Sequence, residues 1–219
     1  MELLEELRQA IMDGMPDRAA DLARRTVAQG VEPAQALDQA CVPAMDYVGQ
    51  RFGCHEMFLP DVMAASEAMK AAVAVLEPEM RRRGSERKTR GTVVLGTVKG
   101  DIHEIGKALG AIMLSAGGFQ VHDLGVSVAT EAFAAKIREV DADIVGVSAL
   151  LTTTMTVQRS VVESLDREGL RPRVKIMVGG APVTRKWAEE IGADGYAKNA
   201  SEAVTLAREF MAAKLGACR

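Results

Sequence analysis

Asp101 and His103 stand two residues apart in the segment Lys99-Gly100-Asp101-Ile102-His103-Glu104-Ile105-Gly106. A carboxylate that accepts the N–H of one ring nitrogen fixes the imidazole tautomer and raises the basicity of the other nitrogen toward a metal. Taken alone, the pair reads more simply as a helix-capping aspartate and a solvated loop histidine. Two further segments bear on that choice. Ser148-Ala149-Leu150-Leu151-Thr152-Thr153-Thr154 gathers an apolar pair and several hydroxyls. Gly179-Gly180 removes side chains, as a bulky planar ligand entering between strands would require. Each segment singly is a tight turn or a helix start. Three of them on one face of a fold would be a site.

Whether they share a face depends on the elements that carry them. From Thr89 onward, short apolar runs alternate with amphipathic stretches. The strands are expected at Thr92–Gly96, Gln120–Leu124, Ile144–Val147, Val174–Val178 and Gly195–Ala197. Helices are expected at Ile105–Ala116, Glu131–Val140, Val157–Arg167, Arg185–Ile191 and Ser201–Leu215. Nearly continuous apolar strands separated by helices imply a parallel sheet covered on both faces. Five such strands favour the doubly wound, flavodoxin-like order 2-1-3-4-5, whose ligands sit beyond the carboxyl ends at the switch between strands one and three. The loops that meet there are 97–104 and 148–156, with Gly179-Gly180-Ala181 beside them.

Residues 1–88 follow a different grammar. Leu3, Leu4, Leu7 and Ile11 recur on one helical face, Pro16 suits a second helix that stops at Gly30, and Pro33 opens a third. A fourth begins near Pro60 with Val62, Ala65, Met69, Val73 and Leu76 at helical spacing. These four make a small bundle. The expected organisation is therefore a helical bundle, 1–88, followed by an α/β domain, 89–219.

Composition narrows the function classes. Of 219 residues, 48% are hydrophobic and 26% charged, and the net charge of −3 offers no surface for nucleic acid. The basic residues between Arg81 and Arg90 form a short solvated linker. Cys41, Cys54 and Cys218 are far apart, which argues against a disulfide framework or zinc site and suits a reducing cytoplasm. The acidic N-terminus has no signal-peptide pattern, and no apolar run approaches the roughly 18 residues of a membrane helix. A soluble cytoplasmic protein is expected. His122 falls in a strand and reads as structural, and His55 follows Cys54 in an exposed connection.

Asp101-x-His103-x-x-Gly106, then Ser148-x-Leu150, then Gly179-Gly180 resembles the cobalamin-binding signature shared by methionine synthase and B12-dependent mutases, in the same order and spacing. The N-terminal half resembles the helical cap of the methyl-transferring branch, notably in Val48-Gly49-Gln50-Arg51-Phe52 and Met57-Phe58-Leu59-Pro60. Together these cover nearly the whole chain. The chain as a whole resembles the stand-alone corrinoid proteins of methylamine, methanol and methoxyl demethylating systems.

The resemblance implies cobalamin or a related corrinoid, held with its own base off the cobalt and His103 as the lower axial metal ligand. Asp101 would bond the other ring nitrogen, and Thr154, with Thr152 nearby, would extend the relay where methionine synthase has a serine. The nucleotide tail would enter a slot lined by Ser148, Leu150, Gly179 and Gly180. The cofactor would cycle between cob(I)alamin and methylcobalamin, so the chain would be a methyl carrier, one part of a methyltransferase system. Its implied partners are a substrate-specific methyltransferase, an acceptor methyltransferase using tetrahydrofolate or a thiol, and a reductive activase. Phe58, Leu59 and Met63 are candidates for an apolar lid over the reactive face, or equally for bundle core. The 81–90 linker would be its hinge.

Other readings are weaker. A phospho-receiver needs an Asp at the end of strand three, where Ser148 stands, and a flavin domain gives no reason for His103. A mutase small subunit would lack the helical half. A B12-dependent sensor or regulatory module is the alternative, although no DNA-binding module accompanies it.

Overall fold

The computed structural model describes residues 2–83 and 89–217, and the chain divides into two compact units, Met1–Lys88 and Thr89–Arg219. Half of the candidate hinge, 84–88, lies outside the described residues, as does Cys218.

The first unit is helical. Helix α1 (Glu2–Met12) buries Leu7, Ala10 and Ile11, and α2 (Pro16–Ala28) opens on a proline whose missing N–H is no loss in a first turn. The third helical stretch is not one regular helix. It starts as α3 (Pro33–Ala36), widens through a π-helical turn (Leu37–Cys41), and continues as α4 (Val42–Gly53). Pro43 has no N–H to return to the carbonyl four residues back, and Val42 N–H bonds Leu37 O five residues back instead. Helix α5 (Leu59–Arg82) starts where Pro60 suggests, with Asp61 accepting from Phe58 N at 2.8 Å. Its inner face is Val62, Ala65, Ala68, Met69, Ala72, Leu76 and Met80.

The second unit is a five-stranded parallel sheet in the expected order, β2-β1-β3-β4-β5. Its strands are β1 (Thr92–Thr97), β2 (Gln120–Asp123), β3 (Ile144–Ser148), β4 (Lys175–Gly179) and β5 (Gly195–Ala197). Between and after them run α6 (Ile105–Ala116), α7 (Thr130–Val140), α8 (Thr152–Arg167), α9 (Arg185–Glu190) and α10 (Ala200–Ala217). The inner strands β1, β3 and β4 are buried on both faces, and the edge strand β2 is partly open, as a sheet covered by helices requires. One core lies between the sheet and α7 and α8, around Phe133, Val145, Val161, Leu165 and Ile176.

Helix α8 begins five residues before the Val157 start expected from periodicity. Runs of threonine favour strand or loop locally, yet Thr152–Thr156 form its first turns. The reason is tertiary: the carboxylate of Asp101 sits at this helix N-terminus, where backbone donors and the helix dipole favour negative charge.

Candidate functional site

Sheet register assembles the site. Thr97 pairs with Ser148, Ser148 with Gly179 and Gly179 with Ala197, so one row crosses the carboxyl ends of β1, β3, β4 and β5. The loop after β1 is held to that row at several points. Val98 N donates to Ser148 O at 3.0 Å, and the buried Thr97 hydroxyl donates to His103 O at 3.0 Å. From the loop after β2, Ser127 N donates to Asp101 O at 2.9 Å, and its Oγ accepts from Gly100 N at 3.1 Å.

Asp101 is wholly buried and is the hub of these contacts. Its Oδ2 accepts from Leu150 N at 2.7 Å, Leu151 N at 3.3 Å and Thr154 Oγ1 at 2.7 Å. Its Oδ1 accepts from His103 N at 3.1 Å and lies 2.7 Å from His103 Nδ1. Thr154 Oγ1 is also 3.0 Å from Leu151 O. The hydroxyl has a single proton, and the carboxylate is the stronger acceptor. Burial by itself would push the Asp101 carboxyl upward. The bonds from Thr154, Leu150 and His103 outweigh it and hold the group well below the usual carboxylate range.

An ionised carboxylate can only accept, so a neutral His103 carries its proton on Nδ1. The Nε2 lone pair is then unprotonated, on a side chain 44% exposed. Close to His103 in sequence, Ile102 and Ile105 are apolar and exposed on either side of the charged Glu104, and Leu150 and Leu151, whose amides bond Asp101, are exposed as well. A buried carboxylate and an imidazole of fixed tautomer together leave Nε2 as a lone-pair donor of the kind a metal could take.

The site residues proposed from sequence in the second unit fall into three groups. Asp101, His103, Leu150 and Thr154 are brought into direct contact. Ser148, Gly179 and Gly180 stand beside them at the strand ends, with Ala149 N donating to Gly179 O at 3.1 Å. Gly180 has φ +129°, and a Cβ there would lie 1.7 Å from Ala149 O, so only glycine fits. Gly106, at the second position of α6, and Thr152, at the first of α8, are exposed and lie outside the Asp101 hydrogen-bond set. In the helical unit Phe58 and Met63 are exposed and Leu59 is half-buried, so the first two are not bundle core.

Asp101 does not cap α6, whose N-cap is Glu104 without a side-chain bond. It serves α8 instead. Sequence reasoning missed Thr97, Ser127, Gln158 and Lys107. Lys107 is a buried lysine in α6 that forms a close ion pair with Asp123 at the end of β2. Gln158 left a signal, being a polar residue on the helical face that also carries Val161, Val162 and Leu165. Among the described residues there is no cluster of three His, Cys, Asp or Glu side chains that could hold a metal ion. No helix among them is long and apolar enough to cross a membrane.

Comparison with known proteins bears on both units. A family described as a B12 binding domain matches residues 91–205, and a second family of that description matches residues 3–77. A corrinoid protein of Desulfitobacterium hafniense is 47% identical over 96% of this chain and 98% of its own length. Dimethylamine corrinoid protein 2 of Methanosarcina acetivorans is also 47% identical, over 97% of this chain and 98% of its own. Among solved structures, the methanol:cobalamin methyltransferase complex of Methanosarcina barkeri contains a chain with TM-score 0.87 and 28% identity. It is matched over 96% of this chain and 80% of that one.

Proposed function

The chain belongs to the B12-binding corrinoid proteins, and from that premise we propose that it carries methyl groups on a corrinoid held by His103. The observation that carries the reading is the 2.7 Å approach of Asp101 Oδ1 to His103 Nδ1, which leaves Nε2 as a free donor at the carboxyl end of the sheet.

The residues present fit a corrinoid. The exposed Ile102, Ile105, Leu150 and Leu151 offer an apolar surface around the imidazole to a large, flat ligand. On α6, Cβ atoms built at Gly106 and Gly110 would meet nothing within 4 Å, although Gly110 is buried. That is space a ligand's tail can fill. Gly179 and Gly180 leave the end of β4 free of side chains.

A bound corrinoid would supply a metal centre able to carry a methyl group between two partners. The chain's own residues set the conditions for that exchange. His103 would hold the metal through Nε2. Asp101 keeps the ring proton on Nδ1 and the ring in one orientation, and Thr154 with the Leu150 and Leu151 amides keeps Asp101 charged. A proton taken up at Nε2 would abolish the lone pair and loosen the grip, so protonation and ligation exclude each other at that atom. In the helical unit, Phe58 and Met63 present exposed apolar surface suited to shielding a reactive methyl from water. Two methyltransferases, one specific for the methyl donor and one delivering to tetrahydrofolate or a thiol, are the partners this role requires, with a reductive activase to restore the reduced metal.

The test is the electron paramagnetic resonance spectrum of the reconstituted, one-electron-reduced protein labelled with 15N-histidine. Ligation by His103 converts the nitrogen splitting from a triplet to a doublet, and the His103→Ala variant lacks it. A triplet surviving the label would mean that the corrinoid keeps its own base, and the proposal would fall. Methyl carriage is then checked by single-turnover transfer from methylated protein to the acceptor enzyme.

A further inference from the structure

Gln158 is fully buried in α8, one helical turn beyond Thr154 and on the same face. Its Nε2 donates to Val147 O at 2.9 Å and to Gly179 O at 3.1 Å, and its Oε1 accepts from Trp187 Nε1 at 3.0 Å. One side chain thus ties the last turns of β3 and β4 to each other and to α9. Trp187 is itself fixed, with its backbone N donating to Thr184 Oγ1 at 3.2 Å and Arg159 stacked 4.9 Å from its ring.

Burying an amide among Val161, Val162 and Leu165 costs free energy that a leucine would not, so core filling does not explain it. The Gly179-Gly180 backbone does. It has no side chains to anchor it and the largest conformational freedom of any dipeptide. Gly179 O already accepts from Ala149 N. A second donor from Gln158 fixes the direction of that carbonyl and so the plane of the Gly179–Gly180 peptide. The same helix face, through Thr154, holds Asp101. The support for the metal ligand and the support for the strand ends therefore sit on one rigid element.

We propose that Gln158 is a positioning residue that fixes the paired ends of β3 and β4 in the alignment that admits the corrinoid's nucleotide tail. The inference rests on the corrinoid reading above. It implies that Gln158 matters for a corrinoid that has a tail and hardly at all for one that lacks it.

The experiment titrates the whole apoprotein with hydroxocobalamin and, separately, with cobinamide, which has the corrin ring but no nucleotide. Gln158→Leu should lose at least about tenfold in affinity for hydroxocobalamin, the equivalent of one or two hydrogen bonds. Its cobinamide affinity should stay within about twofold of wild type. Trp187→Phe, which leaves both backbone bonds of Gln158 and frees only Oε1, should move the ratio the same way by less. It carries the test if Gln158→Leu does not fold. Equal loss for both corrinoids, or no change in the ratio in either variant, overturns the inference. A wild-type protein that binds neither corrinoid overturns the functional reading instead, and this one with it.

Discussion

Replacing Asp101 with asparagine keeps the shape of the hub and inverts half of its hydrogen bonding. The carboxamide oxygen can still accept from Leu150 N, Leu151 N and Thr154 Oγ1. Its NH2 then faces the His103 N–H, donor against donor, and reaches His103 Nδ1, which can pair with it only as an acceptor. The ring proton must move to Nε2, and the metal-binding lone pair is lost. Two bonds to a charged acceptor go and three others lose their charge assistance, so the loss of stability should be roughly 3 kcal/mol. Disturbing the partner of a metal-binding histidine typically costs about 10–100-fold in metal affinity, and Asp101→Asn should fall in that range for corrinoid binding. The tautomer itself is read by long-range 15N–1H spectra of the apoprotein at a pH where the ring is neutral. Wild type should show the proton on Nδ1 and Asp101→Asn on Nε2. If both carried it on the same nitrogen, the tautomer argument would be refuted whatever happened to affinity.

Three more expectations follow from particular contacts. Thr154→Val deletes the hydroxyl on Asp101 Oδ2 and should cost about 1–2 kcal/mol in chemical denaturation, whereas Thr154→Ser should stay near wild type. Gly180→Ala forces a side chain into Ala149 O at φ +129° and should cost about 3 kcal/mol, lowering the melting temperature by about 6–12 °C. Asp194 gives a pH signature far from the site. Burial pushes its carboxyl upward, but bonds from Ile176 N, Arg171 and Lys175 prevail and lower it. A folded-state pKa below the unfolded one contributes stability that is complete above the unfolded value, about 4, and is lost as pH falls through the lower folded value. The stability gap between wild type and Asp194→Asn should be constant near neutrality and close in acid. A gap that widened in acid would contradict the sign.

Helix and strand periodicity, with Gly and Pro as punctuation, was enough to read out the sheet order, because βαβ units admit few arrangements of five buried strands. The Asp101–His103 pair was legible because a carboxylate and an imidazole two positions apart in a glycine-containing loop can meet through a local turn alone. What the linear pattern left undecided was which distant groups converge on that pair. Thr154 rather than Thr152 reaches Asp101 because α8 starts at Thr152 and turns its third residue inward, and that start depends on a carboxylate some fifty positions away. Thr97 and Ser127 act through sheet register and loop crossing, which leave no local trace. Gln158 shows most plainly where the boundary falls. Its polarity on an apolar face was a signal that sequence reasoning passed over, and only the folded packing of two strand ends and a tryptophan around one amide decided what it holds. Local chemistry is written along the chain; the satisfaction of buried hydrogen bonds is a property of the whole fold.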